Sequence, residues 1–453
     1  VIVVILVFVV QDWGQGIARG ERGVLPSGKG EIGGGWLAGG IGLVVLLILL
    51  GAGFAVLSWR MSRYRVTEDA LELHQGVIFR QQRRARLDRL QAVDVVQPLL
   101  ARVMGLARLN VEVAGGSDSK IQLAYLTFDQ AQSLRNHLLA RAAGVRYDTE
   151  QAPVAPEHQV LDVPVDRLIG SLVLSVPTVL LVLSIVVIVV SVALVRSPEP
   201  VAGMAPVVLA FGSVVWQRFN RGFGFRAATS PDGLRLRHGL LEHRTQTVPP
   251  GRVQAVRMSQ PLLWRRQGWW RVQVNVAGYG KGSETQQETE SVLLPVGSSD
   301  EAMTVVAFVL PDLAVAPPDD ARTLVVTAMS GAGGEHGFVV SPRPARWLDP
   351  LAWRRNGFRV TGEALLIRRG RVNRHVEFVP HARTQSCGVH QGLLQRWLGL
   401  ASFHLHSTPG PIAPVVPHLS TADAAALLAE QAERARRARA AAGPERWMET
   451  GGV

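Results

Sequence analysis

Apolar residues run along this chain in two patterns, long uncharged stretches and short alternations, and each predicts a different element. Trp36–Trp59 and Leu168–Val195 contain no charged residue, and each exceeds the roughly 20 residues that a helix needs to cross a bilayer core. Both are expected to be membrane helices. Val201–Trp216 follows the second run after an Arg196-Ser-Pro-Glu-Pro200 break, and Val1–Val10 is also wholly apolar. As a helix the latter covers only about 15 Å, half the core. Since the chain opens on Val rather than Met, this first helix is read as truncated. A signal peptide is the competing reading, but no basic n-region precedes the run.

Elsewhere the apolar residues alternate, at Leu109, Val111 and Val113, at Val272, Val274 and Val276, and at Phe403 and Leu405. Period two means a strand with one buried face. After each block comes an N-cap candidate and a helical stretch: Thr127 before Asp129–Arg141, Ser298 or Ser299 before Asp300–Leu310, and Ser420 before Ala422–Ala442, with Ser420 and Asp423 resembling a capping box. Earlier in the first and third blocks, the stretches ending at Gly76 and Gly370 alternate and then turn, which predicts a hairpin. Each block therefore reads as short strands closed by one helix, with a core of its own.

The blocks are copies of one module. A Gly is followed thirteen residues later by Arg, eight later by Gln and eight later by Gly: Gly76, Arg89, Gln97, Gly105; Gly239, Arg252, Gln260, Gly268; Gly370, Arg383, Gln391, Gly399. A second Gln sits two after each Arg, at Gln91, Gln254 and Gln385. Such spacing, held three times, marks a repeat. The resulting organisation is a membrane hairpin over residues 1–59 with a truncated first helix, a module over 60–143, a linker over 144–167, a second membrane hairpin over 168–217, a module over 218–311, a linker over 312–353, a module over 354–442 and a tail over 443–453.

Charge adds orientation. Arg60, Arg63 and Arg65 follow the first long run, and Arg218, Arg221 and Arg226 follow Val201–Trp216, whereas residues 11–35 and 196–203 are nearly balanced. By the positive-inside rule the Arg-rich ends, and with them the three modules, face the cytoplasm of a multi-pass plasma-membrane protein. A net charge of +12 and a pI near 11 favour anionic partners. Only Lys29, Lys120 and Lys281 are lysines, so the Arg content reflects a codon bias as much as any site. Cys387 is the single cysteine, which rules out an intrachain disulfide and suits a reducing cytosol.

With the anchors Arg89-Leu-Gln-Ala, Arg252-Val-Gln-Ala, Gln97-Pro-Leu-Leu and Gln260-Pro-Leu-Leu in view, the chain resembles the bacterial pleckstrin-homology-like (PH-like) family of membrane-flanked proteins, in its YdbT type with three such domains. The third copy departs, with Ser386 in place of Ala and Gln391-Gly-Leu-Leu. The resemblance implies a membrane protein of transmembrane α-helical hairpins plus three cytosolic PH-like β-barrel domains, each capped by a C-terminal α-helix. It implies little chemistry, since such folds host many unrelated functions.

The candidate contact residues are basic. Arg80, Arg83, Arg84 and Arg86 follow the first hairpin turn, Arg235 and Arg237 flank the second, and Arg368 and Arg369 the third, with Arg244, Arg371 and Arg374 nearby. Near an anionic leaflet each contributes on the order of 1 kcal/mol; the plainer reading is an Arg-rich edge that discourages sheet aggregation. The signature Arg and Gln residues read mainly as structural ties, and the signature glycines as turn positions. His375, His381, His390, His404 and His406 gather in module three beside Cys387, but no metal-ligand spacing supports a metal site. Gly28–Gly33 imitates a dinucleotide fingerprint without the strand it requires, and Gly278–Gly282 reads as a hairpin loop. Arg434 to Arg439 complement the dipole of the last helix. No nucleophile elbow or carboxylate pair, no cofactor motif and no nucleic-acid motif appears.

The expectation is thus a non-enzymatic membrane protein, without cofactor, that presents three modules to proteins, to anionic lipid headgroups or to each other as a scaffold or adaptor. The alternative is a component of a membrane transport or export system, against which stands the lack of ionisable residues in the apolar runs.

Overall fold

The computed structural model describes residues 63–441 apart from 68–69, 76–80, 87–89, 114–119, 143–157, 231–232, 249, 277–290, 311–312, 318 and 409, together with Gly53 and Met61. The Val1–Val10 run, the Trp36–Trp59 run apart from Gly53, the Gly28–Gly33 and Gly278–Gly282 loops, Gly76, Arg80, Arg89 and the tail from 443 lie outside the described residues.

Among the described residues the strands fall into four sheets. The first holds β1 (Arg63–Val66), β2 (Ala70–Gln75) and β3 (Gln81–Arg86) in that order. Next in the chain come β4 (Leu90–Pro98), β5 (Leu106–Val113) and β6 (Lys120–Thr127), then β7 (His158–Asp162), β8 (Arg226–Ser230), β9 (Gly233–His238) and β10 (Glu242–Val248). These seven form one sheet in the order β6-β5-β4-β10-β9-β8-β7. The pattern recurs with β11 (Val253–Gln260), β12 (Trp270–Val276), β13 (Val292–Gly297), β14 (Val339–Val340), β15 (Gly357–Val360), β16 (Ala364–Arg369) and β17 (Arg374–Pro380), in the order β13-β12-β11-β17-β16-β15-β14. The last sheet holds β18 (Ser386–His390), β19 (Leu400–His406) and β20 (Val415–Ser420).

Each module therefore contributes two sheets, and each large sheet joins the second sheet of one module to the first sheet of the next. This corrects the expectation of three closed barrels. The edge of β10 bonds to β4 and that of β17 to β11, and an edge engaged by a neighbour cannot also close its own module.

Helices seal the layers as the alternation requires. Helix α1 (Leu99–Val103) follows β4, and α2 (Phe128–Ala142) closes the first module over a core of Leu71, Leu73, Val93, Leu109, Val111, Ile121 and Leu138. Helix α3 (Val165–Val173) follows β7. Its Leu168 and Leu172 enter the central core, and the Trp264 indole Nε1 donates to the Ser171 carbonyl at 3.0 Å. The run read as one membrane helix from Leu168 is thus divided at Leu174 and Ser175, and its first turns belong to the core.

Among the described residues two helices, α4 (Val176–Val195) and α5 (Glu199–Gly222), are long and apolar enough to cross a membrane. The stretch Val201–Trp216 lies inside α5 and gains its length from the flanking residues. Among the described residues, 176–217 belong to one compact unit and 83–175 and 218–441 to another.

Helix α6 (Ser299–Val309) starts at a capping box in which the Glu301 amide donates to the Ser298 hydroxyl at 3.2 Å and the Ser298 amide to the Glu301 carboxylate at 2.7 Å. Helix α7 (Ala321–Ser330) and β14 occupy the stretch between modules two and three. The Arg355 guanidinium holds the carbonyls of Ala328, Met329 and Gly331 at 2.8–3.0 Å, which satisfies the end of α7. Burial lowers the pKa of that guanidinium to about 9, with Arg374 as the next cause. Helix α8 (Leu393–Trp397) follows β18, and α9 (Thr421–Ala441) closes the third module, with Ala424 and Leu427 buried against Phe403, Leu405 and Leu419.

The cores are less local than the strand pattern suggests. The central core draws on β7–β13, α3, α6 and α7, and takes Ala364, Leu366, Val376 and Phe378 from module three.

Candidate functional site

One local structure occurs three times at the end of a strand. The signature Gln lies one residue before the end of β4, at the end of β11 and one residue beyond β18, and a short helical turn follows: α1, the 3-10 turn Leu262–Gln267, and α8. The signature Gly then turns the chain into the next strand at φ 68°, 67° and 65° for Gly105, Gly268 and Gly399. Only Gly adopts this left-handed region without cost.

The Gln amide ties the two ends together, donating through Nε2 to the carbonyl nine residues on: Gln97 to Leu106 at 3.3 Å, Gln260 to Trp269 at 3.3 Å and Gln391 to Leu400 at 2.9 Å. The tie and the Gly together fix the direction in which the intervening residues point.

In each copy apolar side chains among them point outward. Leu100 is 79% and Val103 82% exposed, with Met104 beside them; Leu262 and Leu263 are exposed in the second copy; Leu393 is 87% and Trp397 83% exposed in the third, beside Leu394. Grouped exposed side chains of this kind mark contact surfaces. An Arg lies three residues before the closing Gly in each copy. Arg102 meets the His243 ring at 3.1 Å and Arg265 donates to the Val372 carbonyl at 2.9 Å, whereas Arg396 makes no side-chain hydrogen bond among the described residues. The Gln-Pro-Leu-Leu run was legible as a signature; its exposure was not, since Leu pairs ordinarily signal a core.

The remaining signature residues hold turns. Gly239 and Gly370 take φ 113° and 74°, and a Cβ on either would fall against the carbonyl oxygen of Glu242 or Asn373. Arg252 and Arg383 end the 3-10 turns Pro250–Arg252 and His381–Arg383. Gln254 reaches the Arg252 carbonyl at 3.5 Å, the Gln385 amide donates to the His406 carbonyl at 3.0 Å, and Gln91 lies in β4.

The basic candidates divide by burial. Arg84 is exposed with Glu72 at 3.5 Å, Arg86 and Arg237 are exposed, and Arg83 is half-buried. Arg235 is buried. Arg368 is fully enclosed: it donates to the carbonyls of Arg355, at 3.0 Å, and Gly333, and lies 4.2 Å over the Phe338 ring. Burial lowers its pKa to about 10. Arg369 donates to Glu377 at 2.8 Å. Arg235 and Arg368 cannot meet a lipid surface from these positions.

The histidines of module three serve several ends. His381 is buried, with its ring at 3.0 Å from both the Thr361 carbonyl and Gln431. His390 and His404 pack edge to face at 6.1 Å. Among the described residues no three His, Cys, Asp or Glu side chains are placed to share a metal ion. A cleft of about 510 Å³ at the junction of modules two and three is lined by Gln260, Arg265, Arg374 and Arg322; the carboxylate there, Asp300, is held by Arg322 at 2.9 Å.

A family model described as bacterial PH domain matches three stretches of the chain, residues 17–142, 171–312 and 305–435. Over 286 residues the chain is 21% identical to the UPF0699 transmembrane protein YdbT of Bacillus subtilis (strain 168), an alignment covering 57% of this chain and 58% of that protein. The match thus spans less than two thirds of the relative. No solved structure matches.

Proposed function

The chain belongs to the bacterial PH domain family, and on that footing we propose that it is a non-catalytic scaffold of the plasma membrane. Its helix pairs anchor it in the bilayer, and its modules face the cytoplasm to bind proteins or anionic lipid headgroups. The observation that carries this reading is the threefold apolar turn, with exposed Leu and Trp side chains beside Arg102, Arg265 and Arg396. Leu and Trp next to Arg is the composition of a segment that settles at a headgroup boundary. The exposed Arg84, Arg86 and Arg237 add charge of the same sign, each worth about 1 kcal/mol near an anionic surface. Orientation rests on Arg218 and Arg221, which end α5.

The test uses the full chain in vesicles, in a Cys387→Ser background with a spin label at Leu100→Cys or Leu394→Cys. In anionic vesicles both labels become accessible to oxygen and shielded from a water-soluble relaxant, and in zwitterionic vesicles they do not. Labels that remain fully water-accessible in both lipids would leave the turns to protein partners. Modification of Ser197→Cys, between α4 and α5, from the outer side only is the expected topology; labelling from the inner side would reverse it.

A further inference from the structure

At both internal module boundaries one rule joins the sheets. The third strand of the following module's first sheet lies antiparallel to the first strand of the preceding module's second sheet, β10 on β4 and β17 on β11. The register is also the same. His243, four residues after Gly239, faces Gln97, and Arg374, four after Gly370, faces Gln260. Among the described residues one more strand of each kind stands at the end of its sheet: β3 ends the order β1-β2-β3, and β18 begins the order β18-β19-β20.

We infer that β18 of one chain receives β3 of a second copy. The rule fixes the partners: Gln81 opposite His390, Gln82 opposite Val389, Arg83 opposite Gly388 and Arg84 opposite Cys387. One copy thereby offers β3 and accepts on β18, a head-to-tail contact that builds a ring when the rotation closes and an open array when it does not.

Three observations point to β18 as a waiting edge rather than a finished one. Val389, two residues before the signature Gln, is 39% exposed, while Val95 and Met258 at the same position are 1% and 0% exposed. Arg102 and Arg265 both cross their junctions to the hairpin of the next module; Arg396 holds that place in the third copy, is exposed, and makes no hydrogen bond to such a hairpin among the described residues. The incoming strand Gln-Gln-Arg-Arg-Ala-Arg is strongly basic, and charge ordinarily blunts an edge. β18, however, reads Ser-Cys-Gly-Val-His and sets no Lys or Arg against it, and β10 and β17 pair in spite of Arg244 and Arg374. Unpaired strand edges are templates for a further strand, and this edge comes with two worked examples of its partner.

The native Cys387 supplies the test. In the full chain, kept in its membrane, Arg84→Cys places a second thiol opposite Cys387 of the neighbouring copy. Mild oxidation or a short bis-maleimide is expected to yield a ladder of dimers, trimers and larger species. The ladder should vanish in Arg84→Cys/Cys387→Ser and be absent from Arg108→Cys, which lies on β5 away from both edges. An intrachain product, or monomer only, overturns the inference.

A second measurement guards against misfolding of the cysteine variant. Gly388→Pro takes a backbone amide out of β18 and is expected to convert the detergent-solubilised oligomer to monomer, read by light scattering, with the melting of the β5 region unchanged. A monomeric parent protein, or an oligomer indifferent to Gly388→Pro, also overturns it.

Discussion

Where β10 joins β4, Thr245 faces the buried Val95 and Arg244 the buried Val96, and beside them the Arg135 guanidinium of α2 donates to the Thr247 hydroxyl. Where β17 joins β11, Met258 faces Val376 and Val256 faces Phe378, and none of the four is exposed. Beneath them Glu377, also unexposed, accepts from Arg257 at 2.8 Å and from Arg369 at 2.8 Å. A loop of module three folds back as well, with the Asn275 amide group exchanging hydrogen bonds with the Ile412 backbone at 2.7 and 3.1 Å. The backbone pairing is the same in both places; at the first seam polar side chains of β10 face apolar ones of β4, and at the second apolar side chains face each other. Module one keeps a core made only of its own residues, whereas modules two and three share theirs. The second seam should therefore be cooperative and the first a place where the chain can part.

The largest expected effect tests that sharing. Phe378→Ala removes a buried ring from a core fed by two modules and should cost about 3–5 kcal/mol. Hydrogen exchange should accelerate in both β12 and β19 while β5 keeps its protection. If β12 is unaffected, the cores are separate and the comparison of seams fails.

Next comes the carboxylate. Glu377→Leu strands two guanidiniums, one of them with only 12% of its side chain exposed, and breaking a buried pair in this way costs about 3–5 kcal/mol. Adding Arg257→Met should recover much of the loss, because a well-packed apolar pair often equals a buried ionic one. No recovery in the double variant would mean that Arg257 stabilises chiefly through the Pro411 carbonyl, to which it donates at 3.0 Å.

How much of this was legible in the sequence differs by level. The alternating positions Leu109, Val111, Val272, Val274, Phe403 and Leu405 are buried in β5, β12 and β19, because period two is a local property of a strand. The caps at Thr127, Ser298 and Ser420 are likewise local, and each accepts the backbone amide three residues on.

Pairing between modules was hidden because alternation says which face is buried and nothing about which strand lies alongside. β17 illustrates the limit, since Phe378 and Glu377 point to opposite faces and both are enclosed. β7 was hidden for another reason. Its partner β8 stands beyond two apolar helices, and a five-residue strand separated so far from its mate looks like linker. Of the site, the Gln and Gly anchors were visible as spacing, while the exposure of Leu100, Leu393 and Trp397 depends on the turn they brace.

Acid sharpens the comparison further. His375 lies at the apolar seam opposite Ser259, and burial, followed by Arg257, Arg369 and Arg355, lowers its pKa from 6.5 to about 4. The unfolded chain then binds more protons than the folded one between these values, so stability rises with pH there. Its contribution is complete above about pH 6.5 and is lost as pH falls toward 4, at most about 3 kcal/mol in all. His375→Gln should flatten that limb of the pH–stability curve. His238, buried against Phe225 and also lowered to about 4, keeps its own share of the same window, so the curve should flatten only in part. An unchanged acid limb would show that His375 is hydrated when the seam is closed.

The smallest effect belongs to the polar seam. Arg102 and His243 meet at its exposed rim, where a single contact between solvated groups contributes well under 1 kcal/mol. Arg102→Gln should accordingly leave the melting of every module within about 0.5 kcal/mol of the parent. It should still be visible at its partner. The His243 pKa is held below 6.5 first by burial and then by the Arg102 charge; removing that charge leaves burial alone, and the imidazole should titrate at higher pH, as an NMR titration of the ring protons would show. A stability loss comparable to that of Phe378→Ala would mean that the rim contact closes the seam, and module one would then be as firmly joined to module two as module two is to module three. A silent titration would place His243 away from Arg102 in solution, with the seam held by Arg135 and the strand pairing alone.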